Sequence, residues 1–187
     1  MSFAPGDNDP PVFRVGVDVM KVEFSKRETF SEFVKIFSEQ VRCYRPVRTG
    51  PWIPEINAIH RSYKLTALET RSVLAVPQDE GVQRFFWIWT MKEAYTKALG
   101  IGLGFDFSRI EYNVPDDVLK IDGQVPKGWQ LIKFEINYKE ALYQGVAVRY
   151  IGEDHTTAIL HWSSQSPEWL TQCDAVSFVK KAVDELG

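Results

Sequence analysis

DEGVQRFFWIWTMKEAYTKALG, residues 79–100, is the stretch whose reading decides the fold. Phe85, Phe86, Trp87, Ile88, Trp89, Met91, Ala94, Tyr95 and Ala98 crowd it with apolar side chains, and Gly100 follows its last turn. This content predicts a helix from about Asp79 to Leu99, buried on most sides and closed by Gly100 at its C′ position. Working upstream, Thr66 and Glu69 have the T-x-x-E spacing of a capping box, which opens a short helix running to about Val76 before Pro77 ends it. Further upstream, Phe30, Phe33, Val34 and Phe37 fall at i, i+3, i+4 and i+7, the apolar stripe of an amphipathic helix over Arg27–Gln40.

Strands flank these helices. Val12–Val19 reads as a half-buried strand, and Ser108–Val114, Leu131–Tyr138, Gln144–Tyr150 and Thr156–Trp162 carry the β-branched and aromatic residues of four more. Pro167–Leu186 has the apolar spacing of a C-terminal helix. One strand, then helices, then mostly successive strands gives an α+β class rather than a doubly wound parallel sheet.

The 187 residues suit one domain or a tight pair of lobes. Residues 1–11 are a Pro- and Asp-rich flexible lead-in, 12–162 the domain proper, and 163–187 a helical tail. Residues 41–64 break the pattern: they hold three prolines and five basic residues (Arg42, Arg45, Arg48, Arg61 and Lys64) with no sustained period. A loop of that length is uncommon inside a compact domain. Joining Gln40 directly to Leu65 makes a continuous segment, so 41–64 reads as an insertion or irregular loop, or as an unspliced intron read through in a gene model.

Composition narrows the class. Lys and Arg total 22 against 25 Asp and Glu, a net charge of −3, so the basic field of a general nucleic-acid binder is missing. With 44 % hydrophobic residues the chain is not disordered as a whole. Cys43 and Cys173 lie 130 positions apart without CxxC spacing, which argues against a disulfide scaffold and a cysteine zinc site and suggests a reducing compartment. No apolar run approaches membrane-spanning length, and the first residues carry no signal-peptide pattern. The expectation is a cytoplasmic protein with no nucleic-acid or membrane partner.

Two places could carry chemistry. Trp89, Glu93 and Lys97 sit at i, i+4 and i+8, one face of the long helix. A carboxylate there could hold a hard divalent cation, with lysines neutralising phosphate. The same spacing also suits an ordinary helical ion pair beneath a core tryptophan. Asp18, at the end of Val15-Gly16-Val17, could supply a second carboxylate from a strand, where the small Gly16 permits close approach, or could cap a turn. His60, His155 and His161 show no ligand spacing.

Together, Val15-Gly16-Val17-Asp18 and the downstream run Trp89-Thr90-Met91-Lys92-Glu93-Ala94, with Lys97 and Gly100-Ile101-Gly102-Leu103, resemble the 4′-phosphopantetheinyl transferase superfamily. The likeness is to its long, surfactin-synthetase-activator type, in the eukaryotic branch that includes the aminoadipate-semialdehyde-dehydrogenase transferase. It covers about residues 12–40 and 65–150 and corresponds mainly to the C-terminal of two lobes. The resemblance implies a small antiparallel sheet packed against helices. It also implies transfer of the phosphopantetheine arm of coenzyme A to a serine of an acyl, peptidyl or aminoadipate-reductase carrier domain, with release of 3′,5′-ADP. Asp18 and Glu93 would hold Mg²⁺, and Glu93 would also accept the serine proton. Lys92 and Lys97 would contact the phosphates of coenzyme A, Lys97 stabilising leaving-group charge, with Trp89 packed beside them. Met20 stands where some relatives carry a third acidic ligand. Lysine biosynthesis is one implied setting. The alternative is a carrier- or coenzyme-binding remnant that lacks the other lobe.

Overall fold

Strand β1 (Val15–Lys21) alternates as a strand with one covered face should: Gly16, Asp18 and Met20 turn inward, while Val15, Val17 and Val19 remain exposed. In this computed structural model residues 14–24, 29–38, 65–101, 105–162 and 174–186 are described. The other elements are α1 (Phe30–Ser38), α2 (Ala67–Leu74), α3 (Gln78–Leu99), β2 (Ile110–Asn113), β3 (Val118–Ile121), β4 (Trp129–Tyr138), β5 (Ala141–Tyr150), β6 (Ala158–His161) and α4 (Ala175–Leu186). A single 3₁₀ turn, Phe107–Arg109, leads into β2.

The main sheet has the order β1-β5-β4-β6, and β2 and β3 form a separate hairpin. Lys139 and Glu140, with φ of 46° and 62°, make the two-residue turn that fixes the register of β4 on β5. That register opposes Gln144 to Glu135 and Val146 to Lys133, while β1 sets Met20 against Gln144 and Asp18 against Val146. The class is α+β, as expected, and the β1-β5-β4 core of the sheet is antiparallel. The sheet as a whole is mixed, because β6 runs parallel to β4. The chain leaving β5 crosses the start of β4, tied there by Ile151 N–H to Gly128 O at 2.7 Å and Gly128 N–H to His155 O at 2.9 Å, and so enters on β4's far side.

Helix α3 lies across β1 and β5. Its end is the one the sequence foretold, with Gly100 left-handed at φ 69°. Gly16 sets the depth of contact: a Cβ there would lie 2.0 Å from the Ala94 carbonyl oxygen and 2.4 Å from the Ala98 nitrogen. Glycine is therefore required for β1 to come this near the helix. Ile88, Met91, Ala94 and Ala98 of α3 join Leu131, Val146 and Val148 of the sheet in one apolar core. On the other side of α3, Phe33 meets Phe85 at 4.9 Å and Phe37 meets Trp89 at 5.5 Å, edge to face, which docks α1.

The capping box of α2 is formed, with the Thr66 side chain accepting from Glu69 N–H at 3.3 Å and Glu69 Oε2 accepting from Thr66 N–H at 2.7 Å. Leu65 N–H donates to Phe37 O at 2.8 Å, so the residues flanking 39–64 touch. The insertion expected at 41–64, the lead-in 1–11 and the tail before Asp174 lie outside the described residues.

Candidate active site

Asp18 and Lys97, 79 positions apart in the chain, meet where β1 crosses the last turns of α3. Lys97 Nζ donates to Asp18 Oδ1 at 2.7 Å and to the Val17 carbonyl at 3.3 Å. The Asp18 side chain is only 11 % exposed, whereas that of Lys97 is 47 % exposed. The second carboxylate oxygen, Asp18 Oδ2, is buried and has no hydrogen-bond partner among the described residues. A buried carboxylate oxygen without a donor is costly, and a hard cation is the species that best satisfies it.

Glu93 stands one turn before Lys97 on the same stripe of α3, half-buried, and Trp89 lies a further turn back. Trp89 is held by Phe37 and Phe85, the latter at 6.1 Å between ring centroids. Met20, inward-facing two residues after Asp18, packs against the apolar core. Among the described residues no three His, Cys, Asp or Glu side chains gather closely enough to hold a metal by themselves.

Lys92 is where the expectation needs correcting. Its ammonium lies in the core, 1 % exposed, bonded to Glu69 Oε2 at 2.7 Å and to the Phe107 carbonyl at 3.1 Å. Consecutive helical residues diverge by about 100° around the axis, so Lys92 turns into the core while Glu93 lies on the more open stripe. The signal was in the sequence: Lys92 continues the buried i, i+4 series Ile88, Lys92, Thr96, not the series Trp89, Glu93, Lys97. Burial pushes the Lys92 ammonium below the ordinary lysine range, against the pull of Glu69.

Glu69 carries more than its cap. Besides Lys92 and Thr66 it accepts from Tyr112 N–H at 2.8 Å, tying α2, α3 and β2 together while fully buried. A second polar knot surrounds Asp117, at φ 49° in the β2–β3 turn, which receives Lys133 Nζ at 2.8 Å, the Tyr112 hydroxyl and the His161 ring. Lys133 also lies 4.6 Å over the Trp87 ring.

This is the geometry of a carboxylate–lysine pair set between a strand and a helix, with one buried carboxylate oxygen left without a donor among the described residues. The sequence model of the 4′-phosphopantetheinyl transferase superfamily matches residues 51–159, more than half of the chain, and the chain belongs to that superfamily. Over its full length it is 43 % identical to the 4′-phosphopantetheinyl transferase pptA of Paxillus involutus, covering 62 % of that protein. It is 28 % identical over 152 residues to the L-aminoadipate-semialdehyde dehydrogenase-phosphopantetheinyl transferases of Mus musculus and Homo sapiens, covering 74 % of this chain and 40 % of each of them. The chain therefore spans between two fifths and two thirds of the length of these relatives.

Proposed function

We propose that this chain transfers the 4′-phosphopantetheine arm of coenzyme A to the hydroxyl of a serine on a carrier domain. The serine oxygen forms a bond to the phosphorus nearer pantetheine, the bond from that phosphorus to the bridging oxygen breaks, and the bridging oxygen leaves as part of 3′,5′-ADP. The observation that carries this reading is the buried Asp18 Oδ2, without a donor among the described residues, beside a half-exposed Lys97, in a chain of this superfamily.

Asp18 and Glu93 would hold Mg²⁺. When bound, the cation would neutralise the pyrophosphate and favour departure of the nucleotide. Lys97 keeps one bond on Asp18 while its exposed ammonium can take a phosphate oxygen, which stabilises charge on the leaving group. Glu93, within one turn of Lys97, accepts the serine proton directly or through a water. Trp89, fixed among phenylalanines, gives this face a rigid apolar backing. The nucleophile belongs to the carrier, so this chain needs no activated serine or cysteine of its own.

The names of the mouse and human relatives support an aminoadipate reductase as the carrier, and with it a place in lysine biosynthesis. We place the protein in the cytoplasm on its cysteine usage; no helix among the described residues is long and apolar enough to cross a membrane.

The test is transfer of a fluorescent coenzyme A analogue to a panel of apo-carrier domains, with Mg²⁺ present or chelated. Labelling of the carrier serine that requires the metal is expected. Absence of labelling by the folded protein on every carrier would overturn the activity and leave a carrier- or coenzyme-binding module.

A further inference from the structure

A second oxygen on the same face of the sheet is in the same condition as Asp18 Oδ2. Gln144 is fully buried, and its side-chain Oε1 has no hydrogen-bond partner among the described residues. Its amide nitrogen donates to Glu135 Oε1 at 3.2 Å. A carboxylate can only accept, so the NH₂ end of the amide must face Glu135, and the oxygen is the end left over. Because the two ends of a planar amide diverge, that oxygen is directed away from Glu135.

The register gives this oxygen a neighbour. Gln144 pairs with Met20 across β5 and β1, and Val146 pairs with Asp18, so Gln144 is the diagonal neighbour of Asp18 on the α3-facing side. Diagonal residues on adjacent antiparallel strands lie about 7–8 Å apart, within joint reach of an aspartate and the longer glutamine. Gln144 is thus the strand partner of the very position where the carboxylate pair lacks a third ligand. Met20 offers a thioether there, a poor donor to a hard cation, whereas a carboxamide oxygen is a good one.

Resting on the cation-site reading of Asp18, we infer that Gln144 supplies the third protein oxygen of this site. Glu135 positions it by holding the amide nitrogen. Two buried acceptors without donors, on adjacent strands and one face, are then the two sides of one cation site.

The experiment is Mn²⁺ titration of the full chain followed by electron paramagnetic resonance, with thermal melts in metal-free buffer, on wild type, Asp18→Asn, Gln144→Leu and the pair Gln144→Leu/Met20→Glu. The expected result is that Gln144→Leu weakens Mn²⁺ about tenfold or more. Its metal-free melting temperature should be unchanged or raised, since a donorless oxygen has been removed. Met20→Glu should restore affinity in the Gln144→Leu background by returning an oxygen from the paired position. Loss in Asp18→Asn with undiminished affinity in Gln144→Leu would overturn the role of Gln144 and keep the Asp18 site. Undiminished affinity in both, or no Mn²⁺ binding by wild type, would overturn both. If Gln144→Leu does not fold, Gln144→Met serves in its place, keeping length and volume without the oxygen.

Discussion

Lys97 holds one oxygen of Asp18 at 2.7 Å and leaves the other, buried, without a donor among the described residues. On the proposed function the two residues divide the work of the site: the lysine fixes the carboxylate's orientation, and the other oxygen is the one that would take a cation. Asp18→Asn removes the charge at nearly constant shape. Transfer should fall on the order of 100-fold or more, as when a preorganised charge contact is lost from a transition state. Parallel kinetic assays and melting curves check this, with the melting temperature little changed; wild-type turnover would refute the role of Asp18.

Gly16→Ala tests the contact that brings the pair together. The new methyl meets backbone atoms of Ala94 and Ala98 that cannot swing aside, so β1 must shift from α3. The expected destabilisation is about 1–3 kcal/mol, typical of overpacking, measurable by urea unfolding. Transfer should drop further than stability, because Asp18 moves with its strand.

Lys92→Met separates scaffolding from chemistry. It strands Glu69 as a buried charge without its ammonium, and breaking such a pair by removing one partner costs about 3–5 kcal/mol. Adding Glu69→Gln should recover part of the loss. At low temperature, where the single variant is folded, transfer within a few-fold of wild type is expected; a selective rise in KM for coenzyme A would instead return Lys92 to the phosphates.

The helices and most strands were legible because local signals and the fold agree. Thr66 and Glu69 capped the helix they foretold, and Gly100 ended α3 in the left-handed conformation. Strand β3 was missed: Val118–Ile121 is four residues with a lysine inside, and its partner β2 is what makes it a strand. The parallel entry of β6 could not be read either, since strand order is decided by where loop 151–157 crosses β4. In the site, Trp89, Glu93 and Lys97 were read as one stripe, and Asp18 was linked to them through family likeness. Lys92 is next to Glu93 in sequence, yet the turn of the helix carries it to Glu69 in the core. Gln144 had no signal at all, because its importance lies in a cross-strand register.

Acid should loosen the β2–β3 end of the molecule. Burial raises the Asp117 carboxyl, but bonds from Lys133, Tyr112 and His161 outweigh it and hold its pKa below the ordinary range. A carboxylate depressed in the folded state adds stability that is present above the unfolded value, about 3.9, and lost as pH falls through the folded value. Urea midpoints measured downward from pH 5 should decline below that point in wild type and decline less in Asp117→Asn.

Deleting 41–64 should leave the fold intact. Leu65 N–H already bonds the Phe37 carbonyl, so the flanking chain ends need no rearrangement, and closing a loop of this size carries only a modest entropy cost. A melting temperature within a few degrees of wild type is expected. Collapse of the deleted form would show that 41–64 belongs to the core, and a dominant transcript retaining these codons would dispose of the intron explanation.

Among the described residues β1 lies at the margin of its sheet, with β5 as its one strand neighbour. Marginal strands open at lower free energy than central ones, and amide exchange reports such openings one by one. The aspartate of the site rides on that strand while its lysine rides on the buried helix. Warming should therefore disconnect the two before the molecule melts, so that catalysis fades on a lower temperature scale than structure, and coenzyme or metal, by bridging strand to helix, should draw the two scales together.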